Sequence, residues 1–322
     1  MLDGWTCKTS GLKFLGFHVH YVNSAFEMKD ALLSVKHYTP AQKALDENKA
    51  SEVLLKVFES TLNEFGLTPG DLASGTTDSG SDIKWVGTVG LLDTYGVLWD
   101  WCPCHLAVKA AEQAFGVSAD PAKSKNPAAR ELLRHVTKVV EKLNKSPTLK
   151  SKFDDLQLEM VRDVFKIVKH APQRWLSLTR TLERIIRLWH VLRKLYSDEG
   201  MVFPLDQGSN KDGILQLYSL MQPLSAITRD GQFAGVPMTA EIHMKFGFLK
   251  VNVLDPTKSL KPRAQKRKLP TTMVSPDALH PVAKTTRDEL CKALVSRFYG
   301  RVWDPLTPDP SFSRDSAVLL TP

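Results

Sequence analysis

Between Lys13 and Val22 the apolar residues fall on every second position: Leu15, Phe17, Val19 and Tyr21 are apolar, while Gly16, His18 and His20 between them are small or polar. Period two is the mark of a half-buried strand, and no helix places those side chains on one face. A second extended run, Phe26 to Val35, follows the polar break Asn23-Ser24, so the two read as a hairpin. Leu2–Thr9, ended by Ser10-Gly11, reads as a further strand. The N-terminal forty residues are thus committed to three antiparallel strands, and the rest of the chain must be built around that sheet.

Beyond Tyr38 the period changes. Pro40 suits the first turn of a helix, and Ala44, Leu45, Val53, Leu54, Val57, Phe58, Leu62 and Phe65 recur at helical spacing up to Gly66, a natural C-cap. Leu67–Thr77 reads as a short strand running into the loop Thr77–Asp82, where Asp82 stands as the cap of a helix over Ile83–Leu92. Gly96–Trp101 reads as an aromatic strand and Cys104–Phe115 as a helix. The resulting order, β-β-β-α-β-α-β-α, predicts an α/β fold in which helices pack on a mixed sheet.

From Asp120 to about Gln222 only helical spacing remains. Leu132 to Leu143 marks one helix and Leu156 to Val168 another. Leu178, Leu182, Ile185, Trp189, Leu192 and Tyr196 mark a third, with Arg180, Arg184, Arg187 and Lys194 on its opposite face. Such a basic stripe is either a solvated face or a contact for nucleic-acid phosphates. Gln222–Leu254 is mixed, with a helix expected from Thr239 to Leu249. Asp255–Pro281 holds five prolines and the basic cluster Lys266-Arg267-Lys268, and reads as a disordered linker before a last helix, Thr285–Tyr299.

Charge follows this division. The chain's net +8 splits into −5 over residues 1–119 and +13 over residues 120–322, which suits a polyanion partner for the second part. Four cysteines are too few for a secreted disulfide scaffold. No run of about 18 apolar residues is present to span a membrane, and Met1–Trp5 lacks the basic-then-apolar pattern of a signal peptide.

Among residues that carry chemistry, Asp3 lies in the first strand and Asp78 just past a short strand. If the first strand is central, both carboxylates reach one sheet edge, where hard oxygen ligands hold Mg²⁺. Cys102-Pro103-Cys104-His105 sits between a strand and a helix. A zinc site needs two further ligands at similar spacing, and none is paired elsewhere, so an architectural role competes. Arg174-Trp175 precedes the basic helix; Trp175 is either a core anchor or a platform for an unpaired base.

Taken in order, Asp3-Gly4-Trp5-Thr6, then His37, then Thr77-Asp78-Ser79-Gly80-Ser81-Asp82, then Cys102-x-x-His105-Leu106, then Gln173-Arg174-Trp175-Leu176-Ser177 resemble the hAT superfamily of DNA transposases over most of the chain. The resemblance implies an RNase H-like core over residues 1–119 and a helical insertion-type domain over 120–254. A basic linker over 255–281 and a C-terminal helix with a truncated end over 282–322 complete it. It implies cut-and-paste DNA chemistry with Mg²⁺ or Mn²⁺, DNA as a partner with room for a protein partner besides, and a nuclear location. Asp3 then takes the first acidic place and Asp78 the second, as metal ligands; Cys102 and His105 take the Cys-x-x-His place. Trp175 takes the place of a base-stacking tryptophan, with Arg174, Arg180, Arg184 and Arg187 as nucleic-acid contacts.

The departures are specific. Asp82 stands where the family carries Asn. The Ser-x-x-x-Glu-Arg-x-Phe-Ser segment bearing the third acid is not found, nor are the dimerisation region and the N-terminal BED-type zinc finger. The expectation is therefore a transposase-like protein or remnant without full activity, or a domesticated non-catalytic DNA- or protein-binding protein. Glu112 or Glu241 would have to serve as third acid in an active nuclease.

Overall fold

The computed structural model describes residues 2–7, 9–38, 50–78, 81–118, 122, 124–167, 175–208, 210–231, 239–262 and 272–299. They form two compact units, one within Met1–Leu106 together with Thr239 and Ala240, and one within Ala107–Gly231 and Glu241–Asp304. The chain is α/β, with a five-stranded mixed sheet in the first unit and helices in the second.

The sheet has the order β3-β2-β1-β4-β5. Its strands are β1 (Leu2–Thr6), β2 (Lys13–Val22), β3 (Met28–Tyr38), β4 (Ser74–Thr77) and β5 (Leu98–Trp101). The first three strands are antiparallel neighbours, with Asp3 opposite Gly16 and Phe14 opposite His37. β1 then runs parallel to β4, Leu2 beside Thr77, and β4 runs parallel to β5. The expected central first strand is therefore present. One face carries the core: Leu2, Leu15 and Phe17 pack with Val53 and Leu54 of α1 (Ala50–Asn63) and with Ile83, Val86 and Leu91.

The alternation of β2 is not kept to its end. A bulge falls between Phe17–Ser34 and His18–Leu32, leaving Leu33 unopposed. Beyond it the hairpin runs past the core, so Tyr21 and Val22 are exposed although the period-two pattern groups Tyr21 with the buried face. At its tip the Asn23 side-chain oxygen accepts the amides of Ala25 and Glu27 at 3.0 and 2.9 Å. That bonding holds Phe26 at a left-handed φ of 57°.

α1 ends as expected: Gly66 has φ 69° and the Leu67 amide donates to the Leu62 carbonyl. Its expected start near Pro40 lies outside the described residues. The helix expected over Ile83–Leu92 is α2 (Ser81–Trp85) running into a π-helix, Val86–Asp93. Gly87 rests on the Trp99 indole so closely that a Cβ there would come within 2.2 Å of the ring. α3 (Pro103–Ala114) follows β5.

In the second unit α4 (Pro127–Lys145) is capped by the buried Asn126, whose oxygen accepts the Ala129 amide at 3.0 Å. The Asn126 amide donates at 2.7 Å to Thr286 in α10 (Pro281–Leu294), joining helices far apart in sequence. α5 (Pro147–Val161) stops short of the expected Val168, because Arg162 turns left-handed at φ 59°. The sustained amphipathic run is divided at Leu188 into α6 (Trp175–Arg187) and α7 (Trp189–Asp198). Both cross-junction amide bonds survive, Leu188 to Arg184 and Leu192 to Leu188.

α8 (Asn210–Asp230) continues through Pro223, where the sequence suggests an end. Interior proline costs a helix about 3 kcal/mol; burial of Leu220, Met221, Leu224 and Ile227 offsets it. α9 (Thr239–Leu249) forms as expected and continues as a π-turn to Leu254. The flanks of the Pro-rich stretch are held by a two-way backbone bridge between Leu260 and Val274. Buried Arg287 also holds one flank, donating to the carbonyls of Val253 and Lys258 at 2.7 and 2.8 Å. Lys266, Arg267 and Lys268 lie outside the described residues, as does everything beyond Tyr299.

Gly87→Ala should lower stability by about 1–3 kcal/mol, the usual cost of forcing atoms into a filled core. Gly70→Ala, whose Cβ meets only ordinary contact with Thr68 at 3.7 Å, should shift it by less than about 0.5 kcal/mol. Urea unfolding of the two variants checks the difference.

Candidate functional site at the β1–β4 edge

Thr77 organises the site. Its hydroxyl accepts the Trp99 indole N–H at 2.9 Å in the buried core, and its carbonyl accepts the Cys102 amide at 2.8 Å. These bonds fix the end of β4 against the end of β5 and the start of α3. Because Leu2 pairs with Thr77 in parallel, Asp3 and Asp78 follow in step on neighbouring strands, which in a sheet are about 4.8 Å apart. Four groups share the edge electrostatically: the Asp3 carboxylate lies in the fields of Asp78, His105 and His18.

The balance at Asp3 is unusual for a carboxylate. Desolvation comes first and the Asp78 charge second, and together they raise its pKa above the ordinary value. The Gly4 amide, His105 and His18 oppose them less strongly. Crowding like charge at one edge is what a cation would relieve. The pair fits one hard divalent ion that keeps several waters. It does not fit a two-metal clamp, which needs further carboxylates to hold ions about 3.5–4 Å apart. Among the described residues no group of three His, Cys, Asp or Glu is arranged to bind a metal. Glu112 and Glu241 each pair with a lysine on their own helix, Lys109 at 3.0 Å and Lys245 at 2.6 Å, and neither is among the charges that act on Asp3.

The Cys-Pro-Cys-His turn adjoins this edge. The Cys102 carbonyl accepts the Leu106 amide, which makes Cys102 the N-cap of α3. Its thiol is drawn down from the ordinary value chiefly by a hydrogen bond from the Cys104 thiol, helped by the amides of His105 and Cys104 and opposed by burial and the Asp3 charge. The same hydrogen bond, with burial, drives the Cys104 thiol up. Cys102 is half-buried and Cys104 buried.

His37 does not join Asp3 and Asp78. It stands on edge strand β3, its ring 5.6 Å from Phe14, which stacks in turn on Trp5 at 5.8 Å. The histidine that β2 does bring to Asp3 is His18. The sequence carries a signal for it: Gly16 pairs with Asp3, and His18 is the next position on that face. Trp5, which the first motif contains without a role, is 43% exposed, and its indole lies over Gly16, the residue opposite Asp3.

The basic stripe belongs to the second unit. Arg180 is exposed on α6, but the guanidinium groups of Arg184 and Arg187 lie over the Phe165 ring at 4.8 and 3.6 Å. Lys194 pairs with Asp198 at 3.0 Å. Arg174 and the side chains of Trp175 and Asp82 lie outside the described residues. No helix among the described residues is long and apolar enough to cross a membrane. No protein-family model and no curated protein matches the chain.

Asp78→Asn should lower the Asp3 pKa, because it removes the second of the two causes that raise it. The sign for stability follows. A carboxyl raised by folding holds its proton more tightly in the native state, so Asp3 favours folding as pH falls through its native pKa. Carboxyl carbon shifts of Asp3 against pH, in both proteins, measure the change.

Proposed function

We propose that the chain is a hAT-transposase-like, DNA-binding protein of the nucleus, with an RNase H-like core and without full transposase chemistry. The observation that carries this reading is that Asp3 on β1 and Asp78, the residue after β4, follow the parallel pair Leu2 and Thr77, with the Asp78 charge acting on Asp3. The order 3-2-1-4-5, with β2 reversed, supports the RNase H-like assignment. The +13 balance of residues 120–322 supports a polyanion partner.

In this reading Asp3 and Asp78 would hold Mg²⁺ or Mn²⁺, which supplies Lewis-acid polarisation of a phosphoryl oxygen when bound. The chain's own groups do the rest. His105 and His18 share the edge with Asp3, and Trp5 offers an aromatic face over Gly16, the residue opposite Asp3. Asp3 and Asp78 supply two carboxylates, fewer than a clamp on both the attacking and leaving oxygens needs. Binding rests on phosphate contacts, which position DNA without reading its bases. Arg180 is the leading contact, because Arg184 and Arg187 already stack on Phe165.

The full chain should bind duplexes of unrelated sequence with similar affinity. With about six phosphate contacts the log–log dependence of affinity on salt should have a slope of roughly −5. Arg180→Ala should reduce that slope by about 1 for every duplex alike. Fluorescence anisotropy between low and high salt measures both. Affinity that ignores salt would remove the DNA-binding reading. Nicking that needs Mn²⁺ and is lost in Asp78→Asn would show that the chemistry is complete after all.

A further inference from the structure

The start of α3 carries two thiols with unequal surroundings, and the proposed DNA function uses neither. Cys102 is the N-cap of a twelve-residue helix, so the amides of the first turn point at its side chain. The amides of Cys104 and His105 and the Cys104 thiol all donate to it. Cys104 lies two residues on, buried at 8% exposure, while Cys102 is half-buried. Residues separated by one position in a turn lie inside the Cα spacing a disulfide needs, about 4.4–6.8 Å, and the hydrogen bond between the thiols already aims one sulfur at the other.

We infer that Cys102 and Cys104 form a peroxide-reactive dithiol, with Cys102 as the attacking sulfur and Cys104 as the resolving one. The Cys102 thiolate attacks one oxygen of a hydroperoxide; an S–O bond forms, the O–O bond breaks, and the other oxygen leaves as hydroxide or alkoxide. Cys102 is then a sulfenic acid, oxidised by two electrons, and the peroxide is reduced. Cys104 next attacks that sulfur. The S–S bond forms, the S–O bond breaks, and the departing hydroxide takes the Cys104 proton and leaves as water. Hydrogen-bond donors that stabilise a thiolate also favour the first step, and a buried neighbour that keeps its proton is held back from direct oxidation. The inference is independent of DNA binding, since it concerns only the chemistry of this turn.

The test uses the full chain with Cys7→Ser and Cys291→Ser, which leaves the pair as its only cysteines. Hydrogen peroxide in small excess should remove two hydrogen masses per chain and block both thiols to N-ethylmaleimide, reversibly with dithiothreitol. Adding Cys104→Ser should stop the reaction at a one-oxygen adduct on Cys102 that dimedone traps. Adding Cys102→Ser should leave Cys104 reduced under the same treatment. Before oxidation, alkylation of Cys102 at neutral pH should be at least about ten-fold faster than that of Cys104. If Cys104 oxidises as fast without Cys102, or if the pair stays reduced while free cysteine in the same tube is consumed, the inference fails. Peptide mapping of the oxidised, unsubstituted chain decides the same question without reliance on any variant's folding: a Cys102–Cys104 link supports the inference, and links only to Cys7 or Cys291 overturn it.

Discussion

The parallel pairing of Leu2 with Thr77 is the constraint on which the candidate site depends. It is a short contact, one register pair between β1 and β4, and it is held from below rather than by its own length. Trp99 reaches across from β5 to bond the Thr77 hydroxyl, and Gly87 leaves room for the indole beneath the π-helix. The same Thr77 holds the amide of Cys102. Moving β4 by one residue would turn Thr77 away from Trp99, part Asp78 from Asp3, and detach the Cys-Pro-Cys-His turn from the edge. One threonine therefore couples core packing to the placement of Asp78 and of the Cys-Pro-Cys-His turn.

Under the proposed function, that coupling brings together two of the ligands a cation site needs, with no third carboxylate among the described residues grouped with them. A sheet edge where two parallel strands end brings two carboxylates close at no cost in backbone strain. The cost is electrostatic, and it falls on Asp3, which holds its proton more tightly than an ordinary carboxyl. Two histidines offset part of that charge. They lower the demand for a cation without adding a third oxygen ligand.

Much of this is legible in the sequence because it rests on local pattern. Alternation in Lys13–Val22, helical spacing after Val53 and Gly66 as a stop each act through near neighbours. What the sequence hides depends on long-range packing. Nothing local announces that Gly87 must leave room for Trp99, or that the helix there runs as a π-helix. Nothing local says that Pro223 is tolerated, since its cost is offset by a buried helix face. His37 and His18 show the same limit at the site: both lie on strands with the right alternation, and only the register decides which reaches Asp3. The stripe of α6 is a basic face, as its spacing predicts, but Phe165, displaced into a loop by the left-handed turn at Arg162, occupies two of its arginines.

The central claim is that Asp3 and Asp78 form one cation-binding edge, and Mn²⁺ titration of the isotopically labelled full chain tests it most directly. Substoichiometric Mn²⁺ should broaden amide resonances around Asp3, Gly16, His18, Asp78 and the Cys102–Leu106 turn before others, and Asp78→Asn should abolish that broadening while the spectrum otherwise stays folded. Broadening centred elsewhere, or unchanged by Asp78→Asn, would contradict it.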